Sequence, residues 1–143
     1  MAAGAITRFS DEQAMAYLKK CLVSSEPSER RLASFILADF REETDVVPLL
    51  LKSLELSAGD PSGISMCHNV LAVHGNPIGV AGMKQGLASE DAGTRAMSAY
   101  FEGEAQLTSA ADTLVSLLDD PDLDVRVRAA HSLLLMGKQT SNG

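Results

Sequence analysis

The segment from Asp119 to Gly137 reads as an acidic turn, a helix start and an apolar helix closed by glycine, and weaker copies of it lie upstream. Sliding the chain on itself by 96 residues carries Leu18 and Leu22 onto Leu114 and Leu118. The same shift carries Arg30, Ala33 and Leu37 onto Arg126, Ala129 and Leu133. A shift of 62 carries Asp60, Leu71 and Gly75 onto Asp122, Leu133 and Gly137. A shift of 31 carries Leu87, Asp91, Arg95 and Ala99 onto Leu118, Asp122, Arg126 and Ala130. These are close to three, two and one times a common unit, so four helix–turn–helix units are predicted, near residues 10–41, 44–75, 77–105 and 108–137. The third matches least well, because Glu102 falls where Leu133 sits. A helix pair this short carries more apolar surface than it can bury alone. Stacking on its neighbours removes that surface from water, so the 143 residues are expected to form a single all-α domain.

Local signals place eight helices. Ser10 and Gln13 have capping-box spacing at the head of the first helix, whose apolar positions are Ala14, Leu18, Cys21 and Leu22. Pro27 opens the second, with Leu32, Phe35, Ile36 and Phe40 as its apolar stripe. The third, over about 45–56, tolerates Pro48 only in its first turn, and Gly75 ends the fourth. The fifth carries Gly79, Gly82 and Gly86 on one face. Each glycine costs roughly 1 kcal/mol in a helix interior, and close backbone packing is the expected return. The sixth runs over about 91–104 and the seventh over 108–118 with Leu114, Leu117 and Leu118 on one side. The eighth follows the acidic turn and stops at Gly137, leaving 138–143 as a flexible tail. Ala33, Cys67, Ser98 and Ala129 occupy equivalent places, which lets second helices approach closely.

Charge narrows the function. The net charge is −7, and the window from Glu90 to Asp124 holds nine acids against Arg95 alone, a net of −8. No basic stripe exists to displace counterions from phosphates, so nucleic acid and anionic membrane surfaces are not expected partners. Two cysteines, Cys21 and Cys67, do not make a disulfide framework and are expected to be reduced and buried. Residues 1–8 lack the pattern of a secretory leader, which makes the cytoplasm the expected location.

The last unit resembles the short HEAT-like repeats of the kind also found in phycobilin lyases. The residues that carry the resemblance are Leu114, Leu117 and Leu118, Asp120-Pro121-Asp122, Val125-Arg126, Ala129-Ala130, Leu133 and Gly137. It extends more weakly over the other units. The resemblance implies a right-handed α-solenoid of about four helix pairs, with the second helices lining a concave binding face. It also implies that Arg126 and its equivalents Arg30 and Arg95 pair with an acid of a neighbouring turn.

No catalytic constellation is visible. Asp120, Asp122 and Asp124 alternate as in a calcium loop, but Val125 and His131 stand where an EF-hand needs Gly and Glu. Inter-helix capping by Asp122 or Asp124 is the expected role. Cys67, His68 and His74 do not converge at metal-ligand spacing, and no cofactor motif is present. The expected function is therefore a non-enzymatic interaction or scaffold module that takes a protein partner with a basic patch. Asp91, Glu102 and Glu104 are the expected contacts. Leu134 and Leu135, in a last helix apolar all round, are expected to meet a second chain, with a homodimer through that helix as one form. The alternative, implied by the resemblance alone, is a phycobilin lyase-like or phycobilisome-associated accessory protein.

Overall fold

The computed structural model describes the backbone of residues 2–141 and the side chains of residues 11–138. The chain is all-α, and among the described residues there is no strand. Eight helices follow in order: α1 (Ala2–Cys21), α2 (Pro27–Leu37), α3 (Val46–Leu56), α4 (Pro61–Val73), α5 (Pro77–Leu87), α6 (Ala92–Glu104), α7 (Ala111–Ser116) and α8 (Leu123–Ser141). None is long and apolar enough to cross a membrane.

The second helices α2, α4, α6 and α8 pack in that order as one row, and α1, α3, α5 and α7 each lean on the second helix of their own pair. Glycine makes the α4–α5 contact unusually close. A Cβ on Gly79 would lie 2.3 Å from the Ala72 backbone nitrogen, and one on Gly82 would enter the His68 ring. Gly86 instead faces the Ser98 hydroxyl of α6, so the three glycines serve two neighbours. Across the α6–α8 contact, Gly103 abuts Ser132, whose hydroxyl donates to the Ala99 carbonyl at 2.5 Å.

The arginine register is visible atom by atom. In each case Nη1 donates to two carbonyls, six and five residues back. Arg30 reaches Ser24 and Ser25, Arg95 reaches Ser89 and Glu90, and Arg126 reaches Asp120 and Pro121. Other donors of the first two cross to the following pair, although the buried Nε of Arg30 has no partner. Arg30 Nη2 meets the Leu56 carbonyl at 3.2 Å, and Arg95 binds both Asp120 oxygens at 2.9 and 3.0 Å. The acid expected opposite Arg30 is absent; Asp60 takes Arg31 instead, at 2.7 Å.

Several expectations need correction. Ser10 does not begin α1, which runs through it from Ala2; the Ser10 side chain lies outside the described residues. The seventh helix is one short α segment between 3-10 turns at Thr108–Ala110 and Leu117–Asp119. Pro121 disfavours a helical conformation at Asp120, which is extended at φ −59°, ψ 141°, so the segment ends there. Gly137 does not stop α8. Its φ is not positive, and the helix continues to Ser141, so residues 138–141 are not a loose tail. Gly75, at φ +77°, does end α4 as expected.

The largest correction concerns α2. Its buried face is Arg30, Ala33, Ser34 and Leu37, whereas Leu32, Phe35 and Phe40 of the expected core stripe are 61%, 42% and 43% exposed. Where second helices approach closely, small residues fill the contact and the large apolar ones are displaced to the open face.

Candidate functional site

One repeat position, read four times, crosses the second-helix row: it is exposed at Phe35 and His131, half-buried at Tyr100 and fully buried at Asn69. Phe35, Asn69, Tyr100 and His131 are equivalent residues on α2, α4, α6 and α8. Phe35 meets Phe101 edge to face at 6.1 Å, Phe101 meets Tyr100 at 5.1 Å, and Tyr100 stacks on His131 with the rings 9° from parallel. The Arg128 guanidinium sits 5.6 Å above the Tyr100 ring. An aromatic ridge therefore crosses the row; it is joined through Phe101, which is buried, and Asn69 is the one ringless residue at the repeat position.

Two hollows flank the ridge. Toward the N-terminal ends of the helices lies a groove of about 240 Å³, lined among others by Arg31, Met66, Asn69, Asp91, Thr94 and Met97. Toward the other end is a pit of about 30 Å³, lined among others by Phe35, Asp39, Tyr100 and Glu104. Asn69 forms part of the groove wall. It is fully buried, and neither its amide oxygen nor its amide nitrogen has a hydrogen-bond partner. Leaving both unpaired is costly in a packed interior, so this is the least satisfied point of the face. Burial lowers the pKa of neighbouring His68, and the acids Glu104 and Asp39 add to burial in raising that of Tyr100.

The expected contacts are dispersed differently from the sequence reading. Asp91 is exposed on the groove rim, where its carboxylate caps α6 by accepting from the Thr94 amide and hydroxyl, both at 2.8 Å. Those bonds hold its pKa below the usual range. Glu104 is half-buried beside the pit, with the Arg41 guanidinium 3.8 Å away. Glu102 is not a surface contact at all. It is completely buried, both carboxylate oxygens lack partners, and burial pushes its pKa up to about 7. Its equivalents Leu71 and Leu133 mark this as a core position. Leu134 is 67% exposed on α8, whereas Leu135 is half-buried.

Much of the acidic half is used internally. Asp120 holds Arg95, Asp122 caps α8 through the Asp124 and Val125 amides, and Asp124 pairs with Arg128. Among the described residues no three His, Cys, Asp or Glu side chains cluster as metal ligands. Cys21 and Cys67 are both free thiols and buried, and burial raises the Cys67 thiol pKa.

Neither Asn69 nor the ridge was anticipated as a site. The signal was available: an asparagine directly before the apolar Val70–Val73 run, at the position occupied by aromatic rings elsewhere in the repeat. No protein-family model matches the chain, and comparison with curated proteins finds no match.

Proposed function

We propose that the chain is a HEAT-like α-solenoid module that binds a protein partner through the open face of its second helices. The observation that carries this reading is Asn69, an amide with donor and acceptor both unmet, in the wall of a groove walled by Met66 and Met97. A polypeptide main chain offers an N–H and a C=O at matching spacing, and a small movement of the thioether side chains would admit it. The repeated inter-unit arginines support the solenoid reading.

The acids set the direction and the preference. Asp91 and Glu104 stand 13 residues apart at the two ends of α6, roughly 20 Å along its axis. About six residues of extended chain cover that distance. A segment with cationic residues near both ends would meet Asp91 at one hollow and Asp39 with Glu104 at the other. Only part of the acidic half remains for this role, so charge tunes the contact and the groove supplies its shape.

Selection from a displayed random peptide library tests the reading. Enriched peptides should be basic at both ends and bind the protein. Asn69→Ala should weaken binding at least tenfold without lowering the melting temperature, and Asp91→Asn, which preserves the cap, should reduce its salt dependence. Peptides that bind both variants as they bind the parent would sink the assignment.

A further inference from the structure

Among the described residues the row of second helices is bounded by α2 and α8, and the faces they present can be compared with an interface formed inside the row. On α6, Ala99 and Gly103 meet Ser132 of α8, and Ala92 and Ala96 lie on the same side of the helix at its spacing. The equivalent residues of α8 are Leu123, Val127, Ala130 and Leu134. Leu123, Val127 and Leu134 are 65%, 58% and 67% exposed. At the last of these positions the earlier second helices carry Ala38, Ala72 and Gly103, all buried, the latter two against residues of the pair that follows. The fourth pair thus keeps the receiving face, makes it more apolar and leaves it exposed.

Arg126 has the same incompleteness. Its Nη1 makes the two local bonds common to Arg30 and Arg95, but its other nitrogens make no hydrogen bond among the described residues. In the α6–α8 junction the corresponding nitrogens of Arg95 enter the turn of the next pair and bind Asp120. The equivalent of Asp120 in the first pair is Ser24, and that of Val125 is Glu29. Both line a cavity of about 410 Å³ at the outer side of that pair, together with Tyr17, Lys20, Cys21 and Val23. The cavity lies where an incoming arginine would enter, with the exposed Glu29 carboxylate at its wall.

We propose that copies of this chain assemble head to tail: the α8 face of one copy docks on the α1–α2 face of the next, and Arg126 enters the cavity between Tyr17 and Glu29. The contact continues an interface the chain already forms internally between its third and fourth pairs. Because the two surfaces differ, assembly is open-ended unless the geometry closes a ring.

Sedimentation velocity over rising concentration tests this. The parent protein should form species that grow beyond a dimer, and salt should weaken them. Leu134→Asp, on the α8 face, and Tyr17→Asp, on the cavity side, should each be monomeric. Both residues are more than 60% exposed, so folding should survive, and circular dichroism verifies it. Leu123→Asp and Glu29→Lys are the alternates if either variant misfolds. An equimolar mixture of the two monomeric variants should give a dimer and nothing larger, since one intact face of each kind remains. A parent that stays monomeric at every concentration overturns the proposal. So does a Tyr17→Asp protein that still associates like the parent, because that result marks a symmetric α8–α8 dimer.

Discussion

Glu102→Gln replaces a buried carboxylate by its neutral isostere and leaves the packing volume almost unchanged. Burial raises the Glu102 pKa from an ordinary 4.5 to about 7. The folded state therefore holds this proton more tightly than the unfolded chain does. Its stabilising effect is complete below pH 4.5 and is lost as the pH rises, until above about pH 7 the folded state carries a buried charge. A displacement of this size corresponds to about 3 kcal/mol at roughly 1.4 kcal/mol per pKa unit. The exposed Lys84 only partly offsets the burial. Urea unfolding of the parent, followed by circular dichroism at pH 5 and pH 8, should show that loss, less an opposing contribution from His68. Burial lowers the His68 pKa in the fold, so its contribution rises with pH. Subtracting the Glu102→Gln profile removes the His68 effect and isolates Glu102. Glu102→Leu, which installs the residue found at the equivalent positions 71 and 133, should go further and stabilise at both pH values. At pH 8 its gain of about 3 kcal/mol corresponds to a melting temperature raised by roughly 10 °C. A Glu102→Gln protein with the parent's full pH slope would refute the reasoning.

Three further outcomes follow from the packing. Gly79→Ala drives a Cβ into the α4 backbone, and overpacking of about 1–3 kcal/mol should outweigh a helix-propensity gain near 1 kcal/mol. Gly137→Ala meets nothing within 4 Å inside α8 and should gain up to about 1 kcal/mol, so thermal melts of the two variants should move in opposite directions. Arg95→Ala leaves the nearly buried Asp120 carboxylate without its bidentate partner and should cost about 3 kcal/mol or more, while Lys19→Ala, at an exposed pair, should cost under about 1 kcal/mol. Arginine holds the Asp120 pKa below its ordinary 3.8, so its contribution should persist at neutral pH and fade only below about pH 4 in acid titration of the melt.

The helix pairs and their register were legible because they rest on local chemistry. Pro27, Pro61 and Pro77 stand at helix starts, Asn76 and Asp91 accept from the amides they cap, and the spacing of Arg30, Arg95 and Arg126 reports a turn geometry that recurs in each. Boundaries were less so at α7, where a chain held by Leu114 on one side makes only a single short α segment. Charge was the weakest guide. An acid in a sequence signals a surface only where solvation decides its place, and Glu102, Asp120 and Asp122 are placed by the repeat.

Hydrophobic periodicity failed on α2 for a reason that also explains where the open face lies. In an isolated amphipathic helix the largest apolar residues turn inward, because burying them removes the most surface from water. In this row α4 and α6 have a second helix on each flank and α2 and α8 on one, and small residues, Ala33, Cys67, Ser98 and Ala129, all buried, let these helices approach. Bulky side chains at those places would force the helices apart and open the contacts that hold Ser132 against Gly103. Leu32, Phe35 and His131 are therefore left exposed, and Tyr100 partly so, along one side of the row. The same spacing that excludes them from the core lines them up as a ridge. The line of rings arises here from the packing rule itself, and the one residue at that repeat position without a ring, Asn69, is fully buried with both groups of its amide unpaired.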